Sequence, residues 1–261
     1  MQSFKRNIAS LLVRLGCSDK FIIHREGHRL RFFPTSLSKT LWSKPSLRNE
    51  EKFIQMYLSP GDIYIDVGAN IGTLVLVAAG AIGKTGRVIA LEPNPTTFKY
   101  LRENINLNNY NDRVNLHHAG ADNEQSVTTI TSKKSDVKNQ LGSGSIEVKV
   151  VRLDDLLSKG IASIKLLKID VEGYEKFVLE GAEKTLSLTE TVYFEAWDEH
   201  YREFGYSSAD VFAILHSHGF TILMESDKKW IEVPATYSAS KRVNLVATRK
   251  PAEIQDMEIP E

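Results

Sequence analysis

Five acids stand where apolar runs of this chain stop: Asp66, Glu92, Asp122, Asp170 and Glu195. Each run reads as a buried strand, so the acids fall at strand ends. Carboxylates gathered at one rim of a parallel sheet need partners, water or a ligand. There they hold cations, accept hydroxyl protons or coordinate a metal. For any one of them the plainer reading is a helix N-cap or first-turn acid, favoured by the helix dipole. A glycine pattern surrounds the first. The stretch GDIYIDVGANIG runs from Gly61 into Asp66, places Gly68 and Gly72 four apart, and leads to Ile71, Leu74, Val75 and Ala78 at helical spacing. Such a strand, loop and helix start lets a nucleotide-like ligand approach backbone N–H groups, although a βα turn with only a packing role would look similar.

Glu92 lies roughly 20 residues beyond Gly68, the offset at which an acid accepts hydrogen bonds from ribose hydroxyls. An adenosine-containing cofactor follows. A dinucleotide asks for G-x-G-x-x-G, but Asn70 and Thr73 stand where the later glycines belong. A carboxylate at Asp66 would repel a pyrophosphate and attract a sulfonium and an α-ammonium, so S-adenosylmethionine is preferred over a nicotinamide cofactor. An NAD(P)-dependent oxidoreductase is the alternative enzyme, and a cofactor-binding module without catalysis is the third reading.

The elements that must position these residues alternate strand and helix from Asp62 onward, the mark of a doubly wound α/β sheet. Strands are expected at Ile63–Ile65, Arg87–Leu91, Val114–His118, Ile164–Ile169, Val192–Phe194, Phe220–Met224 and Val243–Thr248. Two β-rich runs, Val127–Thr131 and Ile146–Val151, predict a hairpin around a Lys/Ser/Gly-rich loop. Upstream, KFIIHREGHRLRFF predicts another hairpin, with His24 and His28 flanking its turn, and a helix is expected near Arg48. Phe4, Ile8, Leu11, Leu12 and Leu15 form one face of a first helix. The organisation is then an extension over 1–58, a catalytic domain over 59–250, and an acidic tail over 251–261 expected to fray.

Composition narrows the partners. Acidic and basic residues balance at 33 each, which gives no global field for nucleic acid or an anionic membrane. A single cysteine, Cys17, suits a reducing compartment, and no run approaches a membrane span, so a cytoplasmic protein is expected, monomeric or homodimeric.

Four motifs in order add a resemblance. D-V-G-A-N-I-G, E-P-N-P after the second strand, L-x-x-N-x-x-x-N at Leu101, Asn104 and Asn108, and K-I-D-V-E-G-Y-E at Lys168–Glu175 with Gly181 beyond resemble the FkbM-type S-adenosylmethionine-dependent methyltransferases, over about Pro60 to Glu195. The resemblance implies the class I methyltransferase fold, a Rossmann-like sheet of order 3-2-1-4-5-7-6, with Val243–Thr248 as its antiparallel last strand. It also implies methylation of hydroxyls on sugars, polyketides or other secondary metabolites. By it, Asp66, Gly68, Asn70 and Gly72 hold the methionyl end, Glu92 the ribose, and Asp122 the adenine amino group. The run Ala119–Asn123 departs from the expected Ser-Asp ending, and Asp122 capping a turn is the alternative.

Methyl transfer to an alcohol needs alignment and a proton acceptor. Asp170 and Glu172 are the expected catalytic acids, with Glu195 next. Alternatively, Asp170, Glu172 and Glu195 hold a divalent metal, or Glu172 caps a helix or anchors Lys168. His117, His118 and His200 are spare bases. Trp197, Tyr201 and Phe204 form either an acceptor platform or the core face of a helix. The acceptor pocket is expected from the extension, the loop Ser132–Ser145 and the region after Glu195.

Overall fold

The computed structural model describes residues 21–257, apart from 26, 45–47, 131–140, 142–143, 159 and 235. The expected first helix, Cys17 and most of the 132–145 loop lie outside the described residues. The expected hairpin is present as β1 (Ile22–Arg25) and β2 (His28–Arg31), and Gly27 supplies the left-handed turn at φ +85°. Two helices follow, α1 (Ser36–Ser43), N-capped by the Thr35 hydroxyl, and α2 (Asn49–Tyr57). Arg25 and Glu51 pair at 2.7 Å with both side chains buried, fixing the hairpin to the first turn of α2.

The central sheet is built from β3 (Ile63–Val67), β4 (Arg87–Leu91), β5 (Val114–His117), β9 (Ile164–Ile169), β10 (Thr189–Ala196), β11 (Thr221–Ser226), β12 (Lys229–Glu232) and β13 (Val243–Thr248). Its order is β12-β11-β13-β10-β9-β3-β4-β5. β5, β4, β3, β9 and β10 run parallel, and β13 is antiparallel to both neighbours. This is the class I methyltransferase order with one strand added: β12 extends the edge by pairing with β11. A small second sheet joins β6 (Gly120–Ala121), β7 (Ser126–Ile130) and β8 (Ile146–Val151), in which β7 and β8 make the expected antiparallel hairpin.

Helices cover both faces of the central sheet. On one side lie α3 (Thr73–Ala81) and α4 (Pro95–Leu107); every residue from Thr73 to Ala79 is buried, as suits a helix wedged between sheet and extension. The extension belongs to that same core, since Phe32, Phe33, Leu41, Phe53 and Ile54 pack with Tyr64, Val75 and Tyr193. It completes a layer of the domain. On the other side are α5 (Leu153–Leu156), α6 (Glu175–Glu180), α7 (Glu183–Leu188), α8 (Asp198–Glu203) and α9 (Ser208–Ser217), over Ile65, Leu167, Val192 and Phe194.

The tail departs from expectation. Pro251–Gln255 forms α10, with Pro251 in the first turn, Ile254 fully buried and Glu253 beside Lys165 at 3.1 Å. In this described part of the tail Glu253 is paired with Lys165 and Lys250.

Candidate active site

The carboxyl ends of β3, β4, β9 and β10 open on a cavity of about 330 Å³, the location ligands favour in open α/β sheets. Gly68, Ala69 and Asn70 of the β3 loop line it, with Glu92 after β4, Ala119–Ala121 after β5, Asp170–Glu172 after β9 and Glu195 at the end of β10. The extension contributes Ser36, Leu37, Thr40, Arg48 and Glu50, the 132–145 loop contributes Leu141, and the stretch before β13 contributes Arg242. All three segments expected to build an acceptor pocket therefore reach this cavity.

Asp66 is placed differently from its expected role. It is fully buried, does not line the cavity, and sits 3.1 Å from the ammonium of Lys168, its register partner on β9. Burial pushes its pKa up and Lys168 opposes that shift. Lys168 also donates to the Gly68 carbonyl at 3.0 Å and stands 3.7 Å from Asp170. The charge of Asp66 is thus spent on Lys168, and the acids that face the cavity are Glu50, Glu92, Asp170, Glu172 and Glu195.

Glu92 is buried in the cavity wall and accepts the N–H groups of Asn70 and Asn94, each at 2.9 Å. Burial raises its pKa to about 7 against those two hydrogen bonds. Asn70 itself adopts φ +50°, and its side chain accepts the Ile71 N–H at 2.8 Å. Gly68, at φ +82°, lies so close to the β9 loop that a Cβ would stand 2.0 Å from the Asp170 carbonyl oxygen. Gly72 caps α3 at φ +90° and packs against Leu101 of α4 without lining the cavity. Gly68, Asn70 and Glu92 thus meet at the cavity, whereas Asp66 and Gly72 shape it from behind.

Asp122 is also drawn away. Its carboxylate accepts the Tyr174 hydroxyl at 3.0 Å and the Asn123 N–H at 2.7 Å, and Ala119, Gly120, Ala121 and Leu141 form the wall there. The turn-capping alternative describes it better than the adenine contact.

The far end of the cavity holds a charged cluster. Glu172 has φ +54° and is followed by Gly173 at +101°, a left-handed pair that costs energy at a residue as large as Glu. The surrounding structure holds that loop: Glu175 accepts the Val171 N–H at 3.0 Å, the Tyr206 hydroxyl donates to the Gly173 carbonyl at 2.5 Å, and His200 packs on Gly173. Arg242 bridges Glu172 at 2.8 Å and Glu195 at 3.0 Å, and His200 Nδ1 lies 3.5 Å from Glu172. Burial first, then Asp170, raise the Glu195 pKa to about 8, with Arg242 opposing. Glu172 neither caps α6 nor anchors Lys168. Tyr201 and Phe204 serve the core, while Trp197 lies beneath the Arg242 guanidinium at 5.4 Å.

A family model for the methyltransferase FkbM domain matches residues 66–222, more than half of the chain. The chain belongs to the FkbM methyltransferase family. Among its relatives, 31-O-demethyl-FK506 methyltransferase FkbM of Streptomyces tacrolimicus is 30% identical, over 75% of this chain and 83% of that protein. The 2-O-methyltransferase NoeI of Sinorhizobium fredii is 26% identical over 66% and 76% of the two chains. Hexuronic acid methyltransferase AglP of Haloferax volcanii is 29% identical over 65% and 71%. The solved structure of methyltransferase FkbM from Methylobacillus flagellatus KT aligns with a TM-score of 0.46 at 16% identity, covering 80% of this chain and 52% of that one.

In this FkbM-family chain Arg48, Glu175 and Arg242 join the site without a place among the residues expected from sequence. Arg242 reaches Glu172 across 70 residues, a separation that local patterns do not encode, whereas Arg48 pairs locally with Glu50 and Glu51 and reaches the cavity wall with the extension. Glu175 could have been found, since it lies inside the K-I-D-V-E-G-Y-E motif. Among the described residues, no helix is long and apolar enough to cross a membrane.

Proposed function

We propose that this chain is an S-adenosylmethionine-dependent methyltransferase acting on a hydroxyl oxygen of a small-molecule or glycan acceptor. The observation that carries this reading is one cavity with Glu92 and the Gly68–Asn70 backbone on one wall and the Asp170, Glu172 and Glu195 carboxylates on another. The residues fit the cofactor's chemistry. The lining sets five carboxyl groups beside the cations Arg48, Lys168 and Arg242, so it offers hydroxyl acceptors and no excess of positive charge to hold a pyrophosphate.

In this reading Glu92 receives the ribose hydroxyls, Ala119–Ala121 and Leu141 give the adenine an apolar wall, and Asp170 meets the positive methionyl end. When bound, the cofactor supplies an electrophilic methyl that passes to the acceptor oxygen, while sulfur keeps the bonding pair as a thioether. Glu195 takes the hydroxyl proton, and its raised pKa near 8 suits a base working near neutral pH. Glu172 and Asp170 orient the hydroxyl. Oxygen is the preferred acceptor atom because two relatives, the 31-O-demethyl-FK506 methyltransferase and the 2-O-methyltransferase NoeI, are named for oxygen positions. A cytoplasmic location agrees with the single cysteine.

Calorimetry with S-adenosylhomocysteine and with NAD tests the cofactor. Binding of the first and not the second is expected, and the reverse sinks the reading. A labelled-methyl screen against hydroxylated metabolites and glycans then identifies the acceptor.

A further inference from the structure

Glu172, Glu195 and His200 each offer a ligand atom within 4.8 Å of the others, a spacing suited to a divalent cation. A guanidinium already occupies the space between the carboxylates. Arg242 Nη2 meets Glu172 Oε2 at 2.8 Å and Arg242 Nε meets Glu195 Oε2 at 3.0 Å. One oxygen of each carboxylate is thus taken by the guanidinium, and an ion bound between them would stand against a fixed positive charge. We propose that Arg242 is the resident cation of the acceptor end: a positioning residue that holds Glu172 and Glu195 together and takes the place of a metal ion.

Three features make Arg242 a built part of the site. It immediately precedes β13, whose first residue, Val243, pairs with Ala196 at the end of β10. The segment leading to it is pinned, because Ala239 is fully buried, accepts the Asp198 N–H at 2.8 Å and donates to the Ser208 hydroxyl at 3.2 Å. Its guanidinium also lies over the Trp197 ring at 5.4 Å. A planar fork with several N–H donors can serve two carboxylates at once, which a lysine ammonium does with poorer geometry. Without a cation, two acids this close would repel and the Glu172 loop, already left-handed, would lose a restraint.

This inference rests on the proposed role of the acids at the acceptor, but its test does not need the acceptor. Mn²⁺ alone is titrated into the full chain and followed by electron paramagnetic resonance. The wild type is expected to bind no Mn²⁺ at this cluster. Arg242→Ala is expected to gain one bound Mn²⁺, at least about tenfold below the concentration at which the wild type still shows none, with the gain abolished by adding Glu172→Gln. Arg242→Lys keeps a cation and is expected to stay metal-free, which a merely structural role would not predict. Mn²⁺ bound by the wild type and lost in Glu172→Gln overturns the proposal, as does the absence of any gain in Arg242→Ala. Binding of S-adenosylhomocysteine to each variant, measured in parallel, verifies folding; its loss in the wild type would instead count against the methyltransferase reading.

Discussion

Asp66 and Lys168 face each other across β3 and β9 as register partners, their charged atoms 3.1 Å apart and both side chains buried. Lys168 carries the contact onward to the Gly68 carbonyl, so one buried pair sets the position of the loop that lines the cavity. Removing one partner of a buried pair costs about 3–5 kcal/mol when the other is left uncompensated, and Lys168 would keep only the longer contact to half-exposed Asp170 at 3.7 Å. Asp66→Asn should therefore lower unfolding stability by about that amount in urea titrations. Asp66→Asn combined with Lys168→Met should recover much of the loss, a coupling that a role of Asp66 in cofactor contact alone would not produce.

Glu92 predicts a pH signature. Its pKa in the folded chain, about 7, lies above the ordinary value of 4.5 because it is buried. The folded state therefore holds a proton that the unfolded state has released. Its contribution to stability is fully present below pH 4.5 and is lost as pH rises through about 7. Stability of the ligand-free protein should fall across that window by a few kcal/mol, about 1.4 for each pKa unit, and Glu92→Gln should flatten the slope. In the proposed function ribose hydroxyls donate to the ionised carboxylate, and S-adenosylhomocysteine should then bind more weakly at pH 6 than at pH 8. Calorimetry on Glu92→Gln should show that difference gone.

Asn104 ties the extension to the loop after β3. Its side chain donates to the Ile71 carbonyl at 2.8 Å and accepts the Arg31 N–H of β2 at 2.8 Å, while Asn108 both donates to and accepts from the Arg29 backbone. The two asparagines continue β2 as a strand would, one helical turn apart on α4. Asn104→Ala takes a partner from the buried Ile71 carbonyl, at about 1–3 kcal/mol, and from the partly buried Arg31 N–H. Lower stability, faster proteolysis of the β1–β2 hairpin and weaker S-adenosylhomocysteine binding should appear together. A change in stability with unaltered cofactor affinity would separate the hairpin from the loop.

Strand ends were legible because each apolar run of the parallel sheet stops at a polar residue, and that places the cavity rim. The antiparallel Val243–Thr248 was legible through its apolar run and the family motifs. β12 was not, because its turn uses Asp227 and Lys228 at φ +49° and +61°, where a glycine or asparagine would have marked it, and Lys229–Glu232 is short and mostly exposed. In sequence Asp66 looks like a free charge because nothing in its neighbourhood names Lys168; only strand register brings them together. Arg242 lies 70 residues from Glu172 in sequence and is delivered by the β12–β13 connection, a tertiary fact with no local signal. Asp122 is taken by Tyr174, which the motif contains but does not assign.

Gly68 offers a controlled test of how closely the cavity loops must meet. Gly68 and Gly219 both have left-handed φ, +82° and +80°, so alanine at either should incur a similar backbone penalty of about 1–2 kcal/mol. Their surroundings differ: a Cβ at Gly219 meets nothing within 4 Å, whereas at Gly68 it would stand 2.0 Å from the Asp170 carbonyl oxygen. That oxygen belongs to backbone and cannot swing aside, so the β3 and β9 loops must separate. Gly68→Ala should lose about 1–3 kcal/mol more than Gly219→Ala in denaturant titrations, the usual cost of overpacking. It should also weaken S-adenosylhomocysteine binding at least about tenfold, since Asn70 and Asp170 move apart with the loops, while Gly219→Ala binds as the wild type. Equal affinity in the two variants would mean that the loop contact serves the fold and leaves the cofactor unaffected.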